Sequence, residues 1–209
     1  MIQTDPEEYK KDPCRAASLS FWKAESYELP AHIAVFREDE FDSQSCKGRD
    51  EPYFKMVHSL NGIISPILPE GLLLTTATPE EFAAHINQCY DAESVTVEEL
   101  NAYTQRAVYD ASLWLAVRET QSGRIVASSI GEMDKRIGEG ILDWIQVSPD
   151  SKRKGLGRFL VCELLRRLAG RADFVTVSGR LNNPDNPLAL YRSCGFENPV
   201  IWHVVDFRI

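Results

Sequence analysis

A short basic turn punctuated by glycines is the part of this sequence best suited to bind an anion. It reads Lys152-Arg153-Lys154-Gly155-Leu156-Gly157-Arg158, follows the apolar stretch 141–147 and opens a helical pattern that continues to Gly170. Glycines let backbone N–H groups approach an anion, and a helix N-terminus adds partial positive charge. Residues 150–171 hold seven Lys/Arg and two Asp/Glu in a chain whose formal net charge is −8. This contrast predicts a site for a phosphorylated small molecule rather than for a polyanion.

Two common phosphate-binding motifs are excluded by the residues themselves. The P-loop requires a glycine, four residues and then Gly-Lys-Ser/Thr, and no such string occurs in the chain. The dinucleotide-binding fingerprint requires a glycine three residues after Gly157, where the chain has Leu160. The turn therefore belongs to another class of phosphate site.

A second segment, residues 183–196, combines two asparagines, a tyrosine and a short helical pattern. Asn186 suits the N-cap of a helix, Pro187 suits its first position, and Gly195 suits a left-handed stop. A helix is therefore predicted over about 187–194.

Together, the two segments resemble the acetyl-CoA-binding motifs of the GNAT superfamily of N-acetyltransferases. The first follows Val-x-Pro and fits Gln/Arg-x-x-Gly-x-Gly/Ala, except that Lys152 replaces the usual Gln or Arg. The second fits an Asn, a short helix and Leu-Tyr-x-x-x-Gly-Phe, with Tyr191 placed 34 residues after Gly157. The resemblance covers residues 71–209 and implies transfer of an acetyl group from acetyl-CoA to a primary amine, by direct attack in a ternary complex. A non-catalytic acyl-CoA-binding or sensing module on the same fold is the alternative.

The resemblance also implies which residues contact acetyl-CoA. Backbone N–H groups of residues 145–147 would contact the thioester and pantetheine, and the turn at 152–158 would hold the pyrophosphate and the 3′-phosphate. Asn183 and Asn186 are both candidates for the ligand-contacting asparagine, because Asn183 lies one residue further from the tyrosine than is usual in the family. The predicted contacts are Ile145, Gln146, Val147, Lys152, Arg153, Lys154, Gly155, Leu156, Gly157, Arg158, Asn183, Asn186 and Tyr191.

Acyl transfer from a thioester requires three things of the protein. The amine must lose a proton, the developing oxyanion needs hydrogen-bond donors, and the leaving thiolate is helped by an acid. Tyr191 is the predicted acid, because the resemblance puts it beside the CoA sulfur and a phenol with a pKa of about 10 stays protonated at neutral pH. The alternative is a core aromatic residue whose hydroxyl is satisfied within the protein.

Three carboxylates are candidates for the general base. Strict strand alternation places Asp143 on one face with the odd-numbered apolar residues of 141–147, where burial would make its carboxylate more basic. The alternative for Asp143 is the solvated end of a strand. Glu132, near the end of the preceding strand, is the second candidate, and Glu139, in a predicted loop, is the third.

Cysteines and histidines do not indicate a metal or redox site. The five cysteines and four histidines are scattered, with neither a Cys-x-x-Cys pair nor ligand spacing, so we predict reduced thiols and no metal. Cys194 lies at a predicted helix C-terminus, where the dipole disfavours a thiolate nucleophile. His203 is predicted to be structural, with substrate contact as the alternative.

Composition limits the partners and the compartment. The chain has 209 residues and 44% hydrophobic residues, enough for a full core. No apolar run approaches the ~20 residues needed to cross a bilayer, and the N-terminus lacks the features of a signal peptide. We therefore expect a cytoplasmic monomer or homodimer that acts on a small-molecule or peptide amine, with no nucleic acid and no membrane partner.

The predicted elements after residue 70 follow the order β-α-α-β-β-β-α-β-α-β. They indicate an α/β (α+β) fold of GNAT type, a mixed twisted sheet flanked by helices, with a parallel strand pair at the basic turn. Thr78 with Pro79 and Thr96 with Glu99 indicate the starts of two helices, which run to about Gln88 and Tyr109. Strands are predicted over 71–76, 113–118, 125–132, 141–147, 174–178 and 200–207.

Residues 1–70 form a predicted N-terminal elaboration on the 71–209 core. Strands are predicted over 31–37 and 53–58, and a helical turn over 18–24. The aromatic residues of this region indicate that it packs on the core, and we expect it to cover the acceptor end of the site. These residues are Phe21, Trp22, Tyr27 and Phe41.

Overall fold

The computed structural model describes residues 5–90 and 93–208. The described residues form a single mixed sheet with helices on both faces. Its strands are β1 (Ile33–Arg37), β2 (Arg49–His58), β3 (Leu72–Thr75), β4 (Tyr109–Glu119), β5 (Ile125–Asp134), β6 (Glu139–Val147), β7 (Phe174–Arg180) and β8 (Glu197–Asp206). Its helices are α1 (Pro6–Lys11), α2 (Pro13–Ala16), α3 (Phe21–Ser26), α4 (Pro79–Cys89), α5 (Val97–Tyr103), α6 (Leu156–Leu168) and α7 (Pro187–Ser193).

The strands lie in the order β1-β8-β2-β7-β6-β5-β4-β3. Strands β6 and β7 are parallel, and the other neighbours are antiparallel. The predicted order of elements after residue 70, the parallel pair and the fold class are confirmed.

Helix α6 covers one face of the sheet because its apolar residues recur at helical spacing. Leu164 and Leu168 are fully buried, and each such burial contributes ~1.5–3 kcal/mol. Leu168 lies so close to the sheet that a Cβ added at Gly140 would be 2.7 Å from it. Helices α4 and α5 cover the opposite face, where Phe82 packs edge-on against Trp114.

Helices α4 and α5 begin at the predicted threonines. Thr96 accepts a hydrogen bond from the Glu99 N–H at 3.1 Å, and the Glu99 carboxylate accepts one from the Thr96 N–H at 2.7 Å. The predicted end of α5 at Tyr109 is wrong, because the N–H groups of residues 104–106 bond to carbonyls three residues back and end the helix at Tyr103. Tyr109 instead begins β4, earlier than the predicted start at 113.

The N-terminal region contributes two strands to the sheet. Strand β2 lies between β7 and β8, and β1 lies on the outer edge of β8. The strand predicted over 53–58 starts earlier, at Arg49, because it pairs with β8 as well as with β7. The predicted helical turn over 18–24 is displaced to α3. The division at residue 70 stays a prediction.

Candidate active site

Strand β6 separates from β7 halfway along its length. The two strands pair only over Glu139–Leu142 of β6, although both lie wholly within the described residues. On its other side β6 pairs with β5, where Leu142 and Trp144 lie opposite consecutive residues. Asp143 is therefore the extra residue of a β-bulge. Beyond the bulge, residues 145–147 border a gap between the two strands.

The bulge overturns the predicted alternation of β6. Asp143 was expected on the same face as Ile145 and Val147, but one extra residue reverses the faces beyond it. Ile145 and Val147 pack towards the α6 core. The Asp143 carboxylate lies on the opposite side, where it contacts Lys23 of α3.

The basic turn before α6 contains two left-handed residues. Gly155 caps the helix with φ of 81°, and Arg153 has φ of 62°. The first-turn N–H groups of α6 have no intrahelical acceptor and carry the partial positive charge of the helix end. Arg153, Lys154 and Arg158 are exposed around them. The turn therefore combines backbone donors with exposed cationic side chains.

The absence of a side chain at Gly157 lets three elements meet. An added Cβ there would lie 3.3 Å from the Leu190 side chain of α7 and 3.8 Å from the Val147 side chain of β6. The basic turn, the end of β6 and α7 are thus neighbours. Lys152 differs from the other basic residues of the turn, because its Nζ bonds to the Asp185 carboxylate at 2.6 Å.

Both candidate asparagines use their carbonyl oxygens to shape the loop before α7. Asn186 has φ of 50° and accepts a hydrogen bond from the Ala189 N–H at 3.2 Å, which caps the helix as predicted. Asn183 accepts one from the Asp185 N–H at 2.9 Å. The side-chain amide nitrogens of both remain donors to a ligand, and the geometry does not separate the two candidates.

Tyr191 lies in the core beside the gap between β6 and β7. Its ring packs on Phe54 and Phe196, and burial, with the nearby phenol of Tyr90, raises its pKa above the ordinary value for tyrosine. Tyr90, at the end of α4, donates from its hydroxyl to the Ile145 carbonyl at 3.3 Å. Burial raises the pKa of Tyr90 to about 12. Two protonated phenols therefore lie close to the separated part of β6.

Glu132 is enclosed by cationic and N–H donors. Its side chain is 2% exposed, and its carboxylate accepts hydrogen bonds from Arg106 at 2.8 Å and from the Trp22 indole at 3.1 Å. Burial, and then repulsion by Asp143, raise its pKa. The Arg106 guanidinium lies 3.1 Å from the ring centroid of Tyr103, which holds it in place.

Asp143 forms an ion pair with an N-terminal residue. Its Oδ1 lies 3.1 Å from Lys23 Nζ, and the two side chains are 20% and 27% exposed. The Oδ2 atom is buried and has no hydrogen-bond partner among the described residues. Burial opposes the charge on Lys23, but the Asp143 and Glu132 carboxylates outweigh it and raise the pKa of the lysine.

A cavity of about 310 Å³ borders this carboxylate cluster. It shares Arg106 with the cluster, and its wall includes Trp144, the residue after Asp143. Its size suits a small molecule or the end of a longer chain. The lining residues are Ser94, Val95, Glu99, Ala102, Tyr103, Arg106 and Trp144.

Glu139 is a structural residue at the start of β6, so its predicted position in a loop is wrong. It is fully buried and accepts hydrogen bonds from the Tyr9 hydroxyl at 2.7 Å and the Phe21 N–H at 2.9 Å. Lys55 of β2 lies on the other side of Tyr9, with Nζ 2.9 Å from its hydroxyl, and also donates to three backbone carbonyls. Burial lowers the pKa of Lys55 to about 8. This buried network fixes the N-terminal helices on the sheet.

No metal-ligating cluster of His, Cys, Asp or Glu occurs within the described part of the chain. His203 bonds to Asp50 at 2.9 Å and Glu38 at 3.0 Å and lies at the β1–β8–β2 end of the sheet. A hydrogen bond with the Cys162 thiol, together with burial, raises the pKa of Cys194. No described helix is long and apolar enough to cross a membrane.

Sequence reasoning missed Lys23, Arg106 and Tyr90 as parts of this site. In the sequence, Trp22 stands out only for its aromatic character, and Lys23 beside it belongs to no motif. A single lysine next to a tryptophan, in a segment whose other charged residues are glutamates, is the sequence feature that could have indicated a role for α3 in the site. Nothing in the local sequence indicates that Arg106 or Tyr90 reaches the sheet.

Comparison with known proteins supports the fold. A family model described as an acetyltransferase (GNAT) domain matches residues 109–198. No protein of curated function shows significant sequence similarity to the chain.

Solved structures share the fold at low sequence identity. A GCN5-related N-acetyltransferase from Sphaerobacter thermophilus is 22% identical, with a TM-score of 0.69 over 97% of this chain and 66% of its own. A Drosophila protein is 21% identical, with a TM-score of 0.60 over 77% and 52%, respectively. A GCN5-related N-acetyltransferase from Kribbella flavida is 16% identical, with a TM-score of 0.55 over 97% and 76%. The chain thus spans about two thirds of the first protein and about half of the second. Residues 109–198 thus match the GNAT acetyltransferase domain model, and the described chain has the fold of the GNAT structures.

Proposed function

We propose that this chain is an acetyl-CoA-dependent N-acetyltransferase that acts on a primary amine. The observation that carries the proposal is the meeting of three features at one place. These are the gap beyond the Asp143 bulge, the N-terminus of α6 with its left-handed turn, and the buried phenol of Tyr191.

We expect acetyl-CoA to occupy this arrangement from its phosphates to its thioester. The α6 N-terminus and the side chains of Arg153, Lys154 and Arg158 would hold the phosphates, with Asn183 or Asn186 as a further donor. The pantetheine arm would lie in the gap, where β6 no longer pairs with β7. The backbone of residues 145–147 offers hydrogen-bonding groups there, apart from the Ile145 carbonyl, which accepts from Tyr90.

The acceptor amine would approach from the α4–α5 face, next to Asp143. A primary amine is protonated at neutral pH, so a carboxylate must both bind the ammonium and take its proton. Asp143 is better placed than Glu132, because Glu132 is enclosed by Arg106 and Trp22. The raised pKa of Tyr191 keeps its hydroxyl protonated, so it can donate to the departing thiolate.

Thiol release tests the proposal. The chain would be incubated with acetyl-CoA and a panel of amines, polyamines, aminoglycosides and peptides, and free CoA would be followed with a thiol reagent. We expect amine-dependent release that falls in Tyr191→Phe while acetyl-CoA binding persists. If acetyl-CoA binds but no amine in the panel promotes release of CoA, the result favours the alternative, a non-catalytic acyl-CoA-sensing module.

A further inference from the structure

The position that an acceptor amine should occupy is filled by a lysine of the chain itself. Lys23 Nζ lies 3.1 Å from the carboxylate of Asp143, within hydrogen-bond distance of the proposed general base. Both side chains are mostly withdrawn from solvent, with 27% and 20% exposure. A substrate ammonium bound for deprotonation would make the same contact.

Lys23 is held there by the helix that carries it. The preceding residue, Trp22, donates to the Glu132 carboxylate at 3.1 Å, and the N–H of Phe21 donates to Glu139 at 2.9 Å. Helix α3 is thus fixed to the two strands that border the site. The amine of Lys23 is presented by a fixed backbone rather than by a mobile tail.

The charges around Lys23 are those of an ammonium site. Asp143 and Glu132 both attract it, whereas Arg106 is committed to Glu132 at 2.8 Å and stacks on Tyr103. Acetylation would remove the positive charge of Lys23 and leave Asp143 free to bind another amine.

We propose that Lys23 is an acetylation site of this chain, modified within the same molecule by the acetyl-CoA that the chain binds. This inference rests on the proposed function. The Lys23 ammonium gives one proton to Asp143, and its nitrogen attacks the thioester carbonyl carbon. The C–N bond forms as the C–S bond breaks, and the thiolate gains the second proton by way of Tyr191. The products are N-acetyl-Lys23, CoA thiol and one proton released from Asp143 to water.

The test is a time course of the purified full chain with trideuterated acetyl-CoA and no added amine, followed by peptide mass spectrometry. We expect the label at Lys23 to appear at a rate independent of protein concentration. It should exceed the rate at exposed Lys135 by at least about tenfold, because a held amine reacts at high effective molarity. Label at Lys135 measures uncatalysed acetylation in the same tube.

Two variants make the result specific. Asp143→Asn should reduce labelling of Lys23 to the rate of Lys135, while Lys23→Arg should keep the cationic partner of Asp143 and abolish label at this position. Labelling of Lys23 no faster than Lys135, or labelling that persists unchanged in Asp143→Asn, would overturn the inference. If added amines are acetylated and Lys23 is not, the inference falls and the proposed function stands. If the chain neither binds acetyl-CoA nor releases thiol, both fall.

Discussion

The two halves of the candidate site are built in different ways. The half proposed to bind acetyl-CoA, called here the acetyl-CoA half, comes from two local segments, 145–158 and 183–191. It depends on backbone N–H groups, left-handed residues and a helix N-terminus. The acceptor half comes from single side chains on separate elements, including Lys23, Glu132 and Asp143. The first half should tolerate most side-chain changes. The second depends on long-range packing and on charges that hold one another in place.

Removing Lys55 should cause the largest loss of stability, because it anchors the N-terminal helices that complete the acceptor half. Lys55→Ala removes the ammonium that the buried Tyr9 hydroxyl and three carbonyls share, and it removes the positive charge that stabilises the Glu139 carboxylate. Breaking such a buried charged network costs about 3–5 kcal/mol of unfolding free energy. Urea denaturation would measure it.

Lys10→Ala is the matched control, because Lys10 forms an exposed ion pair with Glu7. Its loss should change stability by about 0–1 kcal/mol. A loss under about 1 kcal/mol for Lys55→Ala as well would show that the buried network does not support the N-terminal helices.

Two amide substitutions separate the carboxylates of the acceptor half. Asp143→Asn should lower kcat/KM for an acceptor amine by about 100-fold or more, because it removes the proposed base. Glu132→Gln should cost about tenfold at most, since Glu132 holds Arg106 and Trp22 rather than the amine. The dissociation constant for acetyl-CoA should stay unchanged in both. A larger loss of kcat/KM in Glu132→Gln than in Asp143→Asn would identify Glu132 as the general base.

A charge reversal tests the acetyl-CoA half in the same way. Arg158→Glu should weaken acetyl-CoA binding by about 10- to 100-fold, the value of a lost hydrogen bond to a charged group, and leave the acceptor KM unchanged. Lys135→Glu makes the same change in net charge at an exposed position in the β5–β6 turn. Calorimetric titration should find it without effect. Equal weakening of acetyl-CoA binding in both variants would show that Arg158 acts only through its contribution to the net charge.

His203 provides a small effect outside both halves. Hydrogen bonds that His203 donates to the Asp50 and Glu38 carboxylates outweigh burial and raise its pKa above the ordinary 6.5. The contribution to stability is therefore complete below pH 6.5 and is lost as pH rises through the folded-state pKa. His203→Gln should flatten this part of a stability profile from pH 5 to 8. An unchanged profile would show that the histidine is not the group responsible.

The same contrast explains what the sequence could predict. The glycine turn, the Asn186 cap and the order of elements after residue 70 depend on neighbouring residues, so local patterns indicate them. The Asp143 bulge depends on how β5 pairs with β6, and the place of β2 depends on strands more than a hundred residues away. Alternation indicates a strand but not its partner. The contact of Lys23 with Asp143 depends on the Asp143 bulge and on the place of the N-terminal region in the sheet. Local sequence patterns therefore could not predict it.

Thermal unfolding with acetyl-CoA tests the central claim most directly, namely that the gap between β6 and β7 and the α6 N-terminus bind this donor. A ligand specific for the folded state adds about 2.7 kcal/mol at 100 times its dissociation constant. Acetyl-CoA and CoA should raise the unfolding midpoint, ATP should not, and Arg158→Glu should shift the titration to higher ligand concentration. No rise at millimolar acetyl-CoA would contradict the account, and the proposed acetyltransferase would fall with it.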